Sequence, residues 1–272
     1  MSPKEALLFV YGLIFATSTP YLKPKKRFMF PTSLRSVNDR LSYFLGGSGV
    51  CAKLKEGPGT FIVNVNREDA ALVWRRETAE TGSVIAMNSL SGNFGLPETV
   101  SAWSPQTVYV HGSDEDLAAW SHLRIVNVTK LQTLRVGEED ILLIPVSGAA
   151  SGTDLVVYFK TSSVMMFGSL FYNRIHPPLV NGVASRSASW IAAVENLLET
   201  YSPSICLPGE GTIGTQDDVR EFVRYLKALT NPSVEFSECR RDFDWTEIPS
   251  ATSLEENFDI LRGNAKTHTS LR

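Results

Sequence analysis

Residues 83–95 read SVIAMNSLSGNFG, and the fold of the chain turns on this stretch. Val84, Ile85, Ala86 and Met87 make an apolar run of the length of a short buried strand. It passes directly into small and amide residues, Asn88, Ser89, Leu90, Ser91, Gly92 and Asn93, before Phe94 and Gly95. A small polar loop at the end of an apolar strand is where α/β proteins hold their chemistry, because the strand fixes the loop while solvent still reaches it. Yet this loop carries no His, Cys, Asp or Glu.

Working outward, residues 50–55 (VCAKLK) alternate, residues 56–59 (EGPG) are turn chemistry, and residues 60–66 (TFIVNVN) read as the returning strand. Residues 67–81 gather Ala70, Leu72, Val73 and Trp74 among charges, which predicts a helix. Downstream, residues 107–111 (TVYVH) form a strand, and Gly112, Ser113 and Asp114 signal the start of a helix over 115–120. Residues 123–128 and 134–146 read as strands, and 155–159 with 163–168 as a hairpin-like pair. Trp190, Ile191, Val194, Leu197 and Leu198 recur at helical spacing within 187–201; residues 204–208 are the last core strand and 216–230 the last core helix. Residues 28–43 read as a basic and apolar linker, part helix, and the tail from 235 as polar and acidic with a weak helix over 253–261. One continuous run of strands, helix, strands and helices predicts an α/β fold of two face-to-face sheets with helices outside, an αββα sandwich. The expected division is 1–47 as an N-terminal segment, 48–232 as the domain and 233–272 as a C-terminal extension.

Composition sets bounds on function. With 272 residues, 43% of them hydrophobic, the chain can bury a sizeable core. A net charge of -3 gives no general attraction for phosphate backbones, so nucleic acid is not expected as a direct specific ligand. Cys51, Cys206 and Cys239 are far apart, without CxxC spacing, and read as thiols or small buried hydrophobes. The four histidines, His111, His122, His176 and His268, lie apart as well, which argues against a His-rich metal site.

Residues 6–16 (ALLFVYGLIFA) are uncharged and apolar, and Lys23, Lys25, Lys26 and Arg27 follow. Eleven residues fall short of the ~20 a bilayer-spanning helix needs. Three readings fit: a signal-peptide core, a short anchor held by the basic cluster, or an apolar helix docked on a partner protein. Membrane contact through residues 6–27, or residence in an organelle such as the mitochondrion, is the expectation. The basic cluster suits anionic lipid, although such runs are ordinarily solvated flanks.

Three blocks carry a family likeness: FGSLFYNRIHPPL at 167–179, SWIAAVENLL at 189–198, and CLPGEG at 206–211. In order and spacing, over residues 48–230, they resemble the metallo-β-lactamase superfamily, with its GD strand end, its "hP.L" turn, its W-hydrophobic-A helix and its closing PGHG loop. Phe61 to Asn64 (FIVN) sits where that family has its "lID" strand, and SGAASG at 147–152 where it has PGHTPG. Carried over residue by residue, the family's HxHxDH loop falls on Asn88, Leu90, Gly92 and Asn93. Its turn histidine falls on Ala149, its bridging aspartate on Ser169 and its closing histidine on Glu210. A zinc site of this type needs imidazole and carboxylate donors with one position open for an activated water. Leu90, Gly92 and Ala149 have no donor atom, and Asn88 and Asn93 have only neutral amides. The resemblance thus implies the scaffold without its metal ligands, and no cofactor is expected.

Individual residues temper this. His176 reads as a turn histidine, His111 as a structural or surface residue, and Glu210 as a solvated loop acid or a partner of Arg174. Ser151 and Ser169 lack a GxSxG or SxxK context. The glycines of 209–214 have no GK[ST] ending and are better explained by the closing loop. The leading expectation is a non-catalytic subunit that contacts other proteins through its terminal extensions. The alternative is a hydrolase of ester, thioester or phosphoester substrates using Asn88, Asn93, Ser169, His176 and Glu210.

Overall fold

The computed structural model describes residues 33–46, 49–56, 59–64, 83–88, 100–101, 103–118, 120–179, 183–245 and 253–263. The N-terminal stretch 6–27, the helix expected over 67–81, and Leu90, Gly92 and Asn93 lie outside the described residues. Among those described, no helix is long and apolar enough to cross a membrane.

Seven strands form the first sheet in chain order: β1 (Ser33–Ser36), β2 (Leu41–Gly46), β3 (Gly49–Glu56), β4 (Gly59–Val63), β5 (Ser83–Ala86), β6 (Thr107–Val110) and β7 (Ile125–Asn127). Pairing is antiparallel from β1 to β4 and parallel from β4 to β7. A short helix, α1 (Asp114–Ala118), links β6 to β7. The second sheet has five strands: β8 (Gln132–Val136), β9 (Glu139–Ser147), β10 (Thr153–Phe159), β11 (Val164–Asn173) and β12 (Ile205–Gly211), ordered β12-β11-β10-β9-β8. Only β11 and β12 run parallel in it, as the crossover helix α2 (Val183–Tyr201) between them requires. The helices α3 (Gln216–Thr230), α4 (Phe236–Asp242) and α5 (Leu254–Leu261) complete the described chain.

The period-two alternation of the strands sorts side chains into layers. From β10, Leu155, Val157 and Phe159 enter the core between the sheets, where they meet Phe61, Val63 and Ala86. Val156 and Tyr158 point the other way, into the core shared with Trp190, Val194 and Leu197 of α2 and Phe222, Tyr225 and Leu226 of α3. Across the first sheet, Ile62, Ile85 and Val108 face outward to Trp103 and Trp120. The architecture is an αββα sandwich. A fully withdrawn Phe or Leu contributes about 1.5–3 kcal/mol of burial free energy, so these layers dominate stability.

Two stretches differ from the sequence reading. The supposed linker over 28–43 forms β1 and the start of β2 in its described part. Leu41 and Tyr43 enter the inter-sheet core and Phe44 the outer one, a period of two that the intervening charges Arg35, Asp39 and Arg40 obscure. Asn38 shapes the turn, its Oδ1 accepting from the N–H groups of Arg40 (2.9 Å) and Leu41 (2.7 Å). The tail beyond 233 is the second: it has the helix expected over 253–261, as α5, but packs that helix on the domain. Leu254 and Leu261 of α5 are buried in the same core as α2 and α3, and Arg262 donates to the carbonyls of Leu229 (3.1 Å) and Asn231 (2.6 Å). The apolar face of this extension is therefore taken up by the chain's own domain.

Candidate functional site

The carboxyl ends of the neighbouring parallel strands β4, β5 and β6 deliver Asn64, Asn88 and His111 to one rim of the sandwich. Strand ends of this kind hold sites in α/β proteins, because neighbouring side chains converge there on a fixed frame. The second sheet brings up the turn between β9 and β10, which carries Ala149 and Ser151, the start of β10, which carries Asp154, and the irregular middle of β11, which carries Ser169.

Asn64 adopts a left-handed backbone (φ 57°), which Asn tolerates better than most residues. Its Nδ2 donates to Asn88 Oδ1 (2.9 Å) and to the Val50 carbonyl (3.2 Å), and its Oδ1 accepts from the Asn88 N–H (2.9 Å). Asn88 in turn reaches the opposite sheet. Its Nδ2 donates to the carbonyls of Leu155 and Met166, and its own carbonyl accepts from the Leu155 N–H (2.7 Å). Both amides are 1% exposed, so their hydrogen-bonding capacity is spent inside the protein.

Asp154 is fully buried. Ser169 Oγ donates to its Oδ1, as does Ser151 Oγ (2.7 Å), while the Ser151 N–H donates to Oδ2 (3.2 Å). Burial pushes this carboxyl above the ordinary range, and the Ser169 and Ser151 hydrogen bonds and the nearby His111 only partly offset it. Ser169 and Ser151 are thus donors to a buried acid. The Tyr172 phenol beside them is also pushed up, by burial first and then by the charges of Glu210 and Asp154. Glu210 is half-buried near the end of β12, opposite Tyr172 in register.

Sequence reasoning passed over two features. The acid at Asp154 sits fifteen residues before Ser169, and only the β10–β11 pairing brings them together. His111 and Ser147 lie on different sheets, yet His111 Nε2 and Ser147 Oγ are 2.8 Å apart. No local signature marks either pair.

Of the residues grouped as an alternative hydrolase site, those described are not all brought together. Asn88 and Ser169 share the rim, but His176 belongs to the helical layer, where its Nδ1 lies 3.2 Å from Tyr225 Oη and its ring stacks on Trp245 (centroids 5.8 Å apart). Burial lowers its pKa to about 4, against a smaller opposing effect of Asp244. Arg174 stands near Asp218 (3.8 Å) and Glu221 (3.7 Å) of α3.

The family's metal can be tested against these donors. The Asn88 side chain is committed to three hydrogen bonds, Ala149 is a buried methyl, and Ser169 donates its hydroxyl to Asp154, which leaves Glu210 as the one carboxylate at the described ligand positions. Among the described residues, no three His, Cys, Asp or Glu side chains are placed to share an ion. The residues present do not fit that metal, and no step is derived through it.

No family model matches the sequence, and no curated protein matches it. Solved structures do match. A metallo-β-lactamase from Pontibacter korlensis superposes with a TM-score of 0.60 at 13% identity, over 72% of this chain and 99% of the other. DIM-1 metallo-β-lactamase gives 0.55 at 16% identity over 73% and 98%, and VMB-1 gives 0.56 at 10% identity over 74% and 98%. The chain has the metallo-β-lactamase fold.

Proposed function

We propose that the chain is a non-catalytic protein of metallo-β-lactamase fold, serving as a structural or assembly subunit of a larger protein complex. One observation carries this reading: the position that resembles the family's first metal ligand is Asn88, and its amide is consumed in joining the two sheets through Asn64, Leu155 and Met166. A side chain so engaged supports the scaffold instead of facing a ligand. The mechanism is surface complementarity. With the described C-terminal helices packed on their own domain, the contact segment is the N-terminal stretch 6–27, apolar and then basic. That composition suits a partner protein's apolar groove or an anionic membrane surface, with an organelle such as the mitochondrion as the setting.

The test is native purification of the tagged chain from its own cells, with size measurement and cross-linking. A defined stoichiometric complex with cross-links from residues 6–27, lost when those residues are deleted, is the expected result. A monomer in both forms, or stoichiometric zinc or iron by elemental analysis, overturns the proposal.

A further inference from the structure

We propose that Ser147 is a nucleophile activated by His111, accepting an acyl group from activated carboxylic esters or thioesters. The inference goes beyond the assembly role and is independent of it, because it concerns the rim of the sandwich and not the terminal segment.

Ser147 is the exposed last residue of β9, and His111 follows β6, so the pair is built only when the two sheets pack. Each partner is held in place. Asn127 grips the residue after His111, accepting from the Gly112 N–H (3.3 Å) and donating to the Gly112 carbonyl (2.9 Å). Ser147 pairs with Thr153, and the turn between them is closed by the Gly148 N–H on the Gly152 carbonyl (2.8 Å). Arg186 of α2 fixes the same turn by donating to the carbonyls of Ala149 (2.9 Å) and Ala150 (3.2 Å). Among the described residues, a Cβ built on Gly148 or Gly152 meets nothing within 4 Å, so the turn after Ser147 is uncrowded.

A serine touching a histidine at a surface is by itself ordinary. Here the other ring nitrogen is informative: His111 Nδ1 is buried and has no hydrogen-bond partner among the described residues. A buried unpaired nitrogen is costly and calls for a reason. When Nε2 accepts from Ser147, Nδ1 holds the ring proton. Taking up the serine proton makes the ring an imidazolium with a donor on each nitrogen. This is the division of labour of a nucleophile and its general base.

In the step, the Ser147 hydroxyl oxygen attacks the acyl carbon and its proton passes to His111 Nε2. The carbon–oxygen or carbon–sulfur bond to the leaving group breaks, and His111 returns the proton to the departing alkoxide or thiolate. The products are acyl-Ser147 and an alcohol or thiol.

The full chain is incubated with p-nitrophenyl acetate and, separately, with phenyl thioacetate, and acetylation is followed by intact mass and peptide mapping. One acetyl group at Ser147 is expected, absent in Ser147→Ala and formed about a hundredfold more slowly in His111→Ala. Circular dichroism and melting of both variants confirm that they fold, and Ser147→Cys, which keeps a nucleophile at the site, should still be acylated. Label confined to lysines, no label at Ser147, or equal rates with and without His111 overturns the proposal. Whether the chain enters a complex has no bearing on any of these outcomes.

Discussion

Asn64 and Asn88 exchange two hydrogen bonds at 2.9 Å, side chain to side chain and backbone to side chain, across the ends of adjacent parallel strands. The orientation of the Asn88 amide follows from its other partners, since Nδ2 faces two carbonyls, Leu155 and Met166. Asn88→Ala leaves those groups unsatisfied in the interior and should destabilise by about 3 kcal/mol. Asn88→Asp should cost more, because a carboxylate places negative oxygen against the same two carbonyls with no cation to pair it. Urea unfolding of the three proteins checks the order. A stability of Asn88→Asp equal to wild type would remove the clamp from the account.

The same residue explains a glycine. Gly168 has φ +58°, and a Cβ built there would stand 2.5 Å from Asn88 Cβ and 2.9 Å from Asn88 Cγ. Gly168→Ala therefore carries a backbone cost of about 1–2 kcal/mol together with a clash. In an Asn88→Gly background the clash vanishes and only the backbone cost remains. A double-mutant cycle should give a coupling of about 1–3 kcal/mol, where unrelated sites would add to within about 0.5 kcal/mol.

His176 predicts an acid sensitivity of definite sign. Burial holds its native pKa at about 4, against 6.5 for the free side chain. Between those values the unfolded chain binds a proton that the folded one does not, so stability falls as pH drops from about 6.5 to about 4, by about 3 kcal/mol in all. His176→Gln should flatten this part of the profile. Asp154 acts in the opposite sense: its raised carboxyl lets the native form hold a proton that the unfolded chain has already lost, so its contribution fades as pH rises. Urea midpoints at pH 7 and pH 4.5, wild type against His176→Gln, separate the two.

The sandwich was legible wherever one periodicity ran unbroken. Residues 155–159 alternate between the two cores, and Trp190, Val194 and Leu197 fall on one helix face, so both elements emerged from pattern alone. Residues 167–173 and 206–211, where the likeness to a known family lay, form most of the parallel pair β11 and β12. What stayed hidden has a physical cause in each case. In β1 and β2 a charged turn interrupts two short strands, and their alternation is too brief to outweigh it. Ser169 and Asp154, like Ser147 and His111, meet only through sheet pairing and sheet packing, which leave no mark on local spacing. The C-terminal helices looked polar because α5 offers the core little beyond Leu254, Leu261 and one amide.

That amide supplies the last prediction. Asn257 is fully buried, and its Nδ2 donates to the Pro177 carbonyl (3.0 Å) and to Tyr225 Oη (3.1 Å). It ties α5 to α3 and to the turn that carries His176, inside a ring cluster in which Tyr225 and Trp245 have centroids 4.5 Å apart. Were the extension an arm held ready for a partner, removing this contact would leave the domain's stability unchanged. Because its helix packs into the core of the domain, Asn257→Ala should destabilise by about 1–3 kcal/mol, with the hydrogen bonds to Pro177 and Tyr225 lost. Chemical denaturation followed by tryptophan fluorescence measures this directly, since Trp245 lies within the affected cluster. A single cooperative transition shifted to lower denaturant is the expected outcome. An early separate transition in the wild-type protein would instead mark the C-terminal helices as an independent unit.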